Sequence, residues 1–255
     1  MVRRFTALCF ITILLPALSI LLRAGVPEIK GCGLTKEKAA EILDGHIPNA
    51  KVVDVQTAPI PALCEVVLEV QGGQKGILYM EPSGKMLMTG SILETESGTD
   101  LTKLRVSGLN KKDPSQIPLK DALFMGREDA KYKAIVFADP ECVSCQKLHQ
   151  EMKKVVAQRS DIAFYIKLYP LTTIHSEAYE QSKSIICAHS LQLLEDAFEN
   201  KPIPPPSCDT TAIDETIKFA KSFGIIGTPT VVLPDGRLLD GMYTAEQLIK
   251  WIDNK

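Results

Sequence analysis

The chain has no long run of lysine or arginine, and its formal net charge over 255 residues is only −2. That absence removes the electrostatic footprint of a nucleic-acid-binding protein and the polybasic patch of a protein that docks on anionic lipid. Nucleic acid is therefore not expected as a partner, and recognition has to run through shape and local chemistry. Closely spaced Cys or His pairs are scarce as well. Cys142 and Cys145 stand two residues apart, but no second C-x-x-C and no H-x-x-x-H accompanies them, so a structural zinc site lacks its other half. No metal and no cofactor is expected. Internal repeats and long low-complexity tracts are also missing, and what remains is an ordinary globular composition, 45% hydrophobic and 24% charged, with room for two modest domains.

The first residues carry an address. Arg3 and Arg4 precede an uncharged apolar stretch over 5–22, followed by Arg23-Ala24-Gly25. This pattern predicts an export signal over residues 1–24, with an uncleaved membrane anchor as the alternative, because the apolar run approaches the length that spans a bilayer. Either way the folded part lies outside the cytosol. Cys9 belongs to the signal, which leaves Cys32, Cys64, Cys142, Cys145, Cys187 and Cys208. An even number in an oxidising compartment suggests paired sulfurs, with fifteen connectivities formally open. Spacing pairs Cys142 with Cys145 locally. Cys187 with Cys208 closes a loop of about 22 residues, a crosslink that chain entropy credits with roughly 3 kcal/mol. Cys32 and Cys64 are left by elimination, either paired with each other or bridging two chains.

Behind the signal, residues 35–43 read as a short helix stopped by Gly45, followed by strand-like runs over 51–57, 64–71, 76–80 and 85–93 separated by Gly-rich and Pro-rich breaks. A helix on an antiparallel meander makes a first domain over residues 32–93, small enough that its core alone is marginal. Residues 94–120 are mostly polar and are expected to be a linker with a helical turn or two around 101–109. From 121 to 255 strands and helices alternate: strand 133–138, helix 142–158, strand 162–169, helical stretches within 176–200, a helix near 213–223, two strands about the Pro234-Asp235-Gly236 turn, and a last helix opened by the capping box Thr244-Ala245-Glu246-Gln247. The whole reads as α+β and α/β in two domains.

The chemistry concentrates where the apolar run 134–138 gives way to Cys142-Val143-Ser144-Cys145. A cysteine in the first turn of a helix faces unpaired N–H groups and the positive end of the helix dipole, both of which favour the reactive thiolate. Cys145 falls about one turn later on the same side, in reach of a mixed disulfide formed on Cys142. The spacing thus builds an attacking thiol at the exposed end and a more buried resolving thiol. Val143 and Ser144 add no positive charge, and the nearby acids Asp139 and Glu141 oppose ionisation. His149, His175 and His189 are read as packed, helix-end or surface residues without a catalytic role. A second element, Gly227-Thr228-Pro229-Thr230 ahead of an apolar strand, is weak alone, since proline at a strand start is usually an edge or turn residue. With an upstream C-x-x-C helix it is the pair expected of a thioredoxin fold, the Thr228 backbone lying beside the sulfurs.

These residues carry a resemblance. Gly76-Ile77-Leu78-Tyr79-Met80, then Phe137-Ala138-Asp139-Pro140-Glu141-Cys142-Val143-Ser144-Cys145-Gln146-Lys147-Leu148-His149, then Cys187-Ala188, Pro205-Pro206-Ser207-Cys208-Asp209 and Gly227-Thr228-Pro229 stand in this order. In this the chain resembles the periplasmic thiol:disulfide interchange proteins of the DsbC/DsbG type. The resemblance implies a small cystatin-like N-terminal dimerisation domain and a thioredoxin-like catalytic domain with a helical insertion. It further implies a homodimer located in the periplasm, Cys142 as attacking and Cys145 as resolving thiol, and Cys187–Cys208 as a structural disulfide. Pro229 would be a cis-proline, placed with Thr228 to meet substrate. The expected function is isomerisation or reduction of non-native disulfides in misoxidised client proteins, with electrons supplied by a membrane thiol reductase of the DsbD type. The rival readings are an oxidase that introduces disulfides and a chaperone-like dimer that binds clients with its C-x-x-C idle.

Overall fold

The computed structural model describes residues 32–253; the expected export signal over 1–24 lies outside the described residues. Thr35 opens the first helix, α1 (Lys36–Asp44), by accepting the Lys38 N–H on its side-chain oxygen. Ala39 and Leu43, one turn apart, form the buried stripe of α1. An antiparallel sheet follows, with β1 (Lys51–Thr57), β2 (Cys64–Glu69), β3 (Lys75–Met80) and β4 (Leu87–Met88) in spatial order 1-2-3-4. The period of two then decides what each face does. Cys64, Val66 and Leu68 lie opposite Met80, Leu78 and Gly76 and pack with Ala39 and Leu43, while Glu65 and Val67 pair with Tyr79 and Ile77 and project to the other side. Cys32 and Cys64 are disulfide-bonded, which fastens the start of the described chain to β2.

The other side is closed by the segment expected as a linker. A hairpin of two short strands, β5 (Leu93–Glu94) and β6 (Thr99–Asp100), leads into α2 (Leu101–Leu109). Asp100 caps α2 through the Lys103 N–H at 2.8 Å. The Thr102 hydroxyl bonds to the Tyr79 hydroxyl and accepts the Ile92 N–H. Arg105 pairs with the nearly inaccessible Glu65 carboxylate at 3.0 Å, and the Asn110 side chain bonds both the N–H and the carbonyl of Lys75. The helical turn or two expected around 101–109 is α2, nine residues long, and it has buried partners waiting on β2 and β3. The strand expected over 85–93 shortens to Leu87–Met88 for the same reason. The chain leaves the sheet through Gly90, whose φ of +151° is one that side chains rarely adopt, and delivers Ile92 to the α2 side.

The linker region also touches the second domain: Lys112 N–H donates to the Gly236 carbonyl at 2.8 Å, Lys111 pairs with Asp235, and the Gln247 amide donates to the Ser97 carbonyl. After a single 3-10 turn at Pro114–Gln116 come β7 (Leu123–Met125), β8 (Tyr132–Ala138), α3 (Val143–Gln158), β9 (Ile162–Leu168), α4 (Ala178–Ala188), α5 (Leu191–Phe198), α6 (Ala212–Phe223), β10 (Thr230–Val232), β11 (Leu238–Asp240) and α7 (Ala245–Ile252). They build one five-stranded sheet in order 11-10-8-9-7, in which only β8 and β9 run parallel. Strand β8 is buried on both faces. Its Ala134, Val136 and Ala138 pack with the α3, α5 and α7 side, and Ile135 and Phe137 with Ala220 and Phe223 of α6. Helices α4 and α5 are the helical insertion, and the Cys187–Cys208 disulfide ties α4 to the segment ahead of α6. Edge strand β7 had no sequence signal, being three residues long. No helix among the described residues is long and apolar enough to cross a membrane.

Candidate active site

Strand β8 ends by aiming Asp139, Pro140 and Glu141 into a turn, and Cys142 is the N-cap of α3 with extended backbone (φ −83°, ψ 114°). Its sulfur takes the place that a cap oxygen usually occupies: Cys142 Sγ accepts the Cys145 N–H at 3.2 Å. The helix end thus bonds directly to the sulfur that gains most from ionising. Both thiols are free. Cys142 is 8% exposed and Cys145 2%, so the order of exposure is the expected one, while the attacking thiol is more covered than its place at the head of the helix implies. The hydrogen bond with the Cys145 thiol, aided by the Cys145 N–H, outweighs burial and holds the Cys142 pKa down at about 6. Burial first, and then the hydrogen bond to Cys142, push Cys145 far up.

The loop before β10 closes the site from above. The Thr228–Pro229 peptide bond is cis, and Cys142 Sγ lies 3.6 Å from the Thr228 carbonyl. The Thr228 hydroxyl is buried with no hydrogen-bond partner among the described residues. All the sulfurs and loop residues singled out by sequence are placed: Cys142, Cys145, Thr228 and Pro229 come together, whereas Cys187–Cys208 and Cys32–Cys64 are disulfides elsewhere in the fold.

Two neighbours differ from the sequence reading, and a third, Asp139, keeps its expected effect from an unexpectedly buried place. Asp139 is wholly inaccessible; its carboxylate accepts the N–H groups of Glu141 at 2.8 Å and Leu171 at 2.6 Å and bonds His175 Nδ1 at 2.9 Å. Its charge does oppose ionisation of Cys142, as expected. Glu141 turns away from the sulfur, and its carboxylate accepts the Glu177 and Ala178 N–H groups and so caps α4. His175, read from sequence as an ordinary helix-end or surface residue, is instead the partner of the buried carboxylate beside the attacking thiol. No sequence signal marks it, since 36 residues separate it from Asp139. His149 fits the packed reading: it is 3% exposed, bonds Glu195 of α5 at 3.0 Å, and burial lowers its pKa.

Residues 119–255 match the thioredoxin-like domain family, and residues 34–103 match the disulfide bond isomerase protein N-terminal domain, a span that includes the first turn of α2. The thiol:disulfide interchange protein DsbC of Salmonella typhimurium is 27% identical over 204 residues, 78% of this chain and 80% of that protein. The DsbC protein of Escherichia coli is 27% identical over 208 residues, covering 80% and 82%. A disulfide interchange protein from Neisseria gonorrhoeae, seen in a crystal structure, is 27% identical, covers 54% of this chain and 97% of its own, and superposes with a TM-score of 0.46. With a free C-x-x-C at the head of α3 and both matched domains in sequence, the chain belongs to the thioredoxin-like domain family and has the two-domain organisation of the DsbC-type thiol:disulfide interchange proteins.

Proposed function

We propose that the chain is an exported homodimer of the periplasm that isomerises or reduces non-native disulfides in client proteins, with Cys142 attacking and Cys145 resolving. The observation that carries this reading is the placement of two free sulfurs one helical turn apart, Cys142 as the N-cap accepting the Cys145 N–H at 3.2 Å and Cys145 more deeply buried, which brings the first pKa down to about 6 and pushes the second up. The Cys142 thiolate attacks one sulfur of a client disulfide. A Cys142–client disulfide forms, the client S–S bond breaks, and the departing client sulfur leaves as a thiolate. In the isomerising route another client thiolate attacks the mixed disulfide, a new client S–S bond forms, and the Cys142 thiolate returns with no net electron transfer. In the reducing route Cys145 loses its proton and attacks Cys142 Sγ. A Cys142–Cys145 disulfide forms, and the client leaves with two thiols, having gained two electrons.

Because Cys145 must shed a proton from a buried site before it can resolve, the mixed disulfide persists and the client has time to rearrange. Thr228 and Pro229, over the sulfurs, are the residues that meet the client backbone. The reducing route leaves an oxidised enzyme, so a dithiol donor is required, and a membrane thiol reductase of the DsbD type is the partner we assign. Refolding of scrambled ribonuclease tests the reading. Added protein restores ribonuclease activity and Cys142→Ser does not; no gain with the unaltered chain, or an undiminished gain with the variant, overturns it.

A further inference from the structure

The Asp139 carboxylate is a buried charge in a site whose chemistry depends on forming a second negative charge. It accepts hydrogen bonds from two backbone N–H groups and lies 2.9 Å from His175 Nδ1. With two N–H donors already on it, the carboxylate is in its acceptor form and His175 Nδ1 is the donor. Among the described residues His175 is the one basic side chain that pairs with Asp139. Asp139 itself is fully buried, whereas the His175 side chain is 24% exposed, so the imidazole can exchange protons with solvent while the carboxylate cannot. The contact is firmly held: the Leu171 N–H bonds the same carboxylate oxygen, and the His175 N–H bonds the Leu171 carbonyl.

We propose that His175 is a positioning residue for Cys142, which, while protonated, balances the Asp139 carboxylate and so permits the neighbouring sulfur to ionise, and which, on losing its proton, leaves that carboxylate unopposed against the thiolate. The proposal rests on the assignment of Cys142 as the attacking thiol. The charges that face the imidazole are Asp139, Glu141 and Cys142, all from the turn between β8 and α3; Glu177, two residues along on its own segment, is exposed. Burial lowers the His175 pKa, but the three acidic neighbours outweigh it and the net displacement is upward. While His175 is protonated, its charge offsets one of the three acidic groups it faces; once it loses that proton, none of the three is offset by it.

Coupling of this kind is reciprocal: if protonated His175 favours the thiolate, the thiolate must favour protonated His175. The test follows Cys142 ionisation in the reduced full-length chain by thiolate absorbance and iodoacetamide rate between pH 4 and 9. It compares the unaltered protein with His175→Gln, which keeps an N–H donor for Asp139 without the charge, and with Asp139→Asn. His175→Gln is expected to raise the Cys142 midpoint and cut the alkylation rate near pH 5.5 by roughly 3–10-fold; Asp139→Asn is expected to move the midpoint the other way. A merely structural role would shift both variants in one direction. As a second measurement on the native sequence, the His175 ring resonance is titrated by NMR before and after Cys142 is alkylated with iodoacetamide to a neutral thioether that Cys145 cannot displace, and capping is expected to lower its midpoint. Superimposable titrations of His175→Gln and the unaltered chain, or a His175 midpoint indifferent to capping, overturn the inference alone. A Cys142 in the unaltered chain that ionises only in the ordinary thiol range overturns the attacking-thiol assignment as well.

Discussion

The two sheets of this protein are finished differently. The catalytic sheet is covered on both faces by its own helices, and its buried strand β8 is flanked by partners on either side. The N-terminal sheet is covered by α1 and α2 but ends on the two-residue β4. Met86 is 69% exposed there, Leu87 42% and Met88 44%, with Leu93 nearby at 61%. A sheet edge with unpaired backbone groups and a row of exposed apolar side chains is a surface prepared for another chain. One region holds the chemistry under a doubly covered sheet; the other presents an apolar sheet edge and carries the Cys32–Cys64 crosslink. The proposed homodimer places that partner as a second copy.

The sharpest way to separate the two regions is Cys142→Ser, which should abolish disulfide isomerisation in the ribonuclease assay while leaving the mass seen in sedimentation unchanged. A loss of dimer in this variant would mean that the regions are not independent. Next in size, Met86→Glu combined with Met88→Glu should yield a monomer by sedimentation that still reduces insulin disulfides but has lost most of its isomerising activity. An intact dimer would move the interface elsewhere. Replacing both Cys32 and Cys64 by alanine should lower the stability of the N-terminal unit by about 3–4 kcal/mol, as expected for a crosslink over a loop of this length. That loss should appear in a denaturant transition that leaves the catalytic domain's own transition in place.

The smallest effect is the pH dependence of stability in the reduced protein. Cys142 has a folded pKa depressed to about 6, so its contribution is fully present above the unfolded thiol value of about 8.5 and is lost as pH falls through about 6. Cys145 has a raised folded pKa, so its contribution is present below the unfolded value and fades as pH rises above it. Reduced protein should therefore gain stability as pH rises from about 6 and be most stable near the unfolded thiol value of about 8.5, by about 1–2 kcal/mol over its acid flank. Thermal denaturation of reduced Cys142→Ser across the same range should lose the acid-side slope.

How much was legible in the sequence follows from how local each signal is. The C-x-x-C helix start, the Thr244 cap and the strand runs that become β2, β3 and β8 are written in neighbouring residues, and the structure has them. Helix α2 falls over 101–109 as the sequence reads, but its part in closing the first sheet is not legible there, because its partners Glu65, Tyr79 and Lys75 lie far away in sequence. The end of β4 at Met88 and the three-residue β7 were missed because packing against a distant element, not local propensity, sets them. At the site, the sulfurs could be found by spacing, whereas the Asp139–His175 contact joins two loops that only the folded sheet brings together.

The most direct measurement is the rate of iodoacetamide labelling at each active-site cysteine as a function of pH, read by mass spectrometry on the reduced protein. The account predicts that Cys142 labels with an apparent pKa of about 6 while Cys145 remains essentially unlabelled through neutral pH. A Cys142 that labels only as pH approaches the ordinary thiol value of about 8.5, or a Cys145 that labels first, would contradict it.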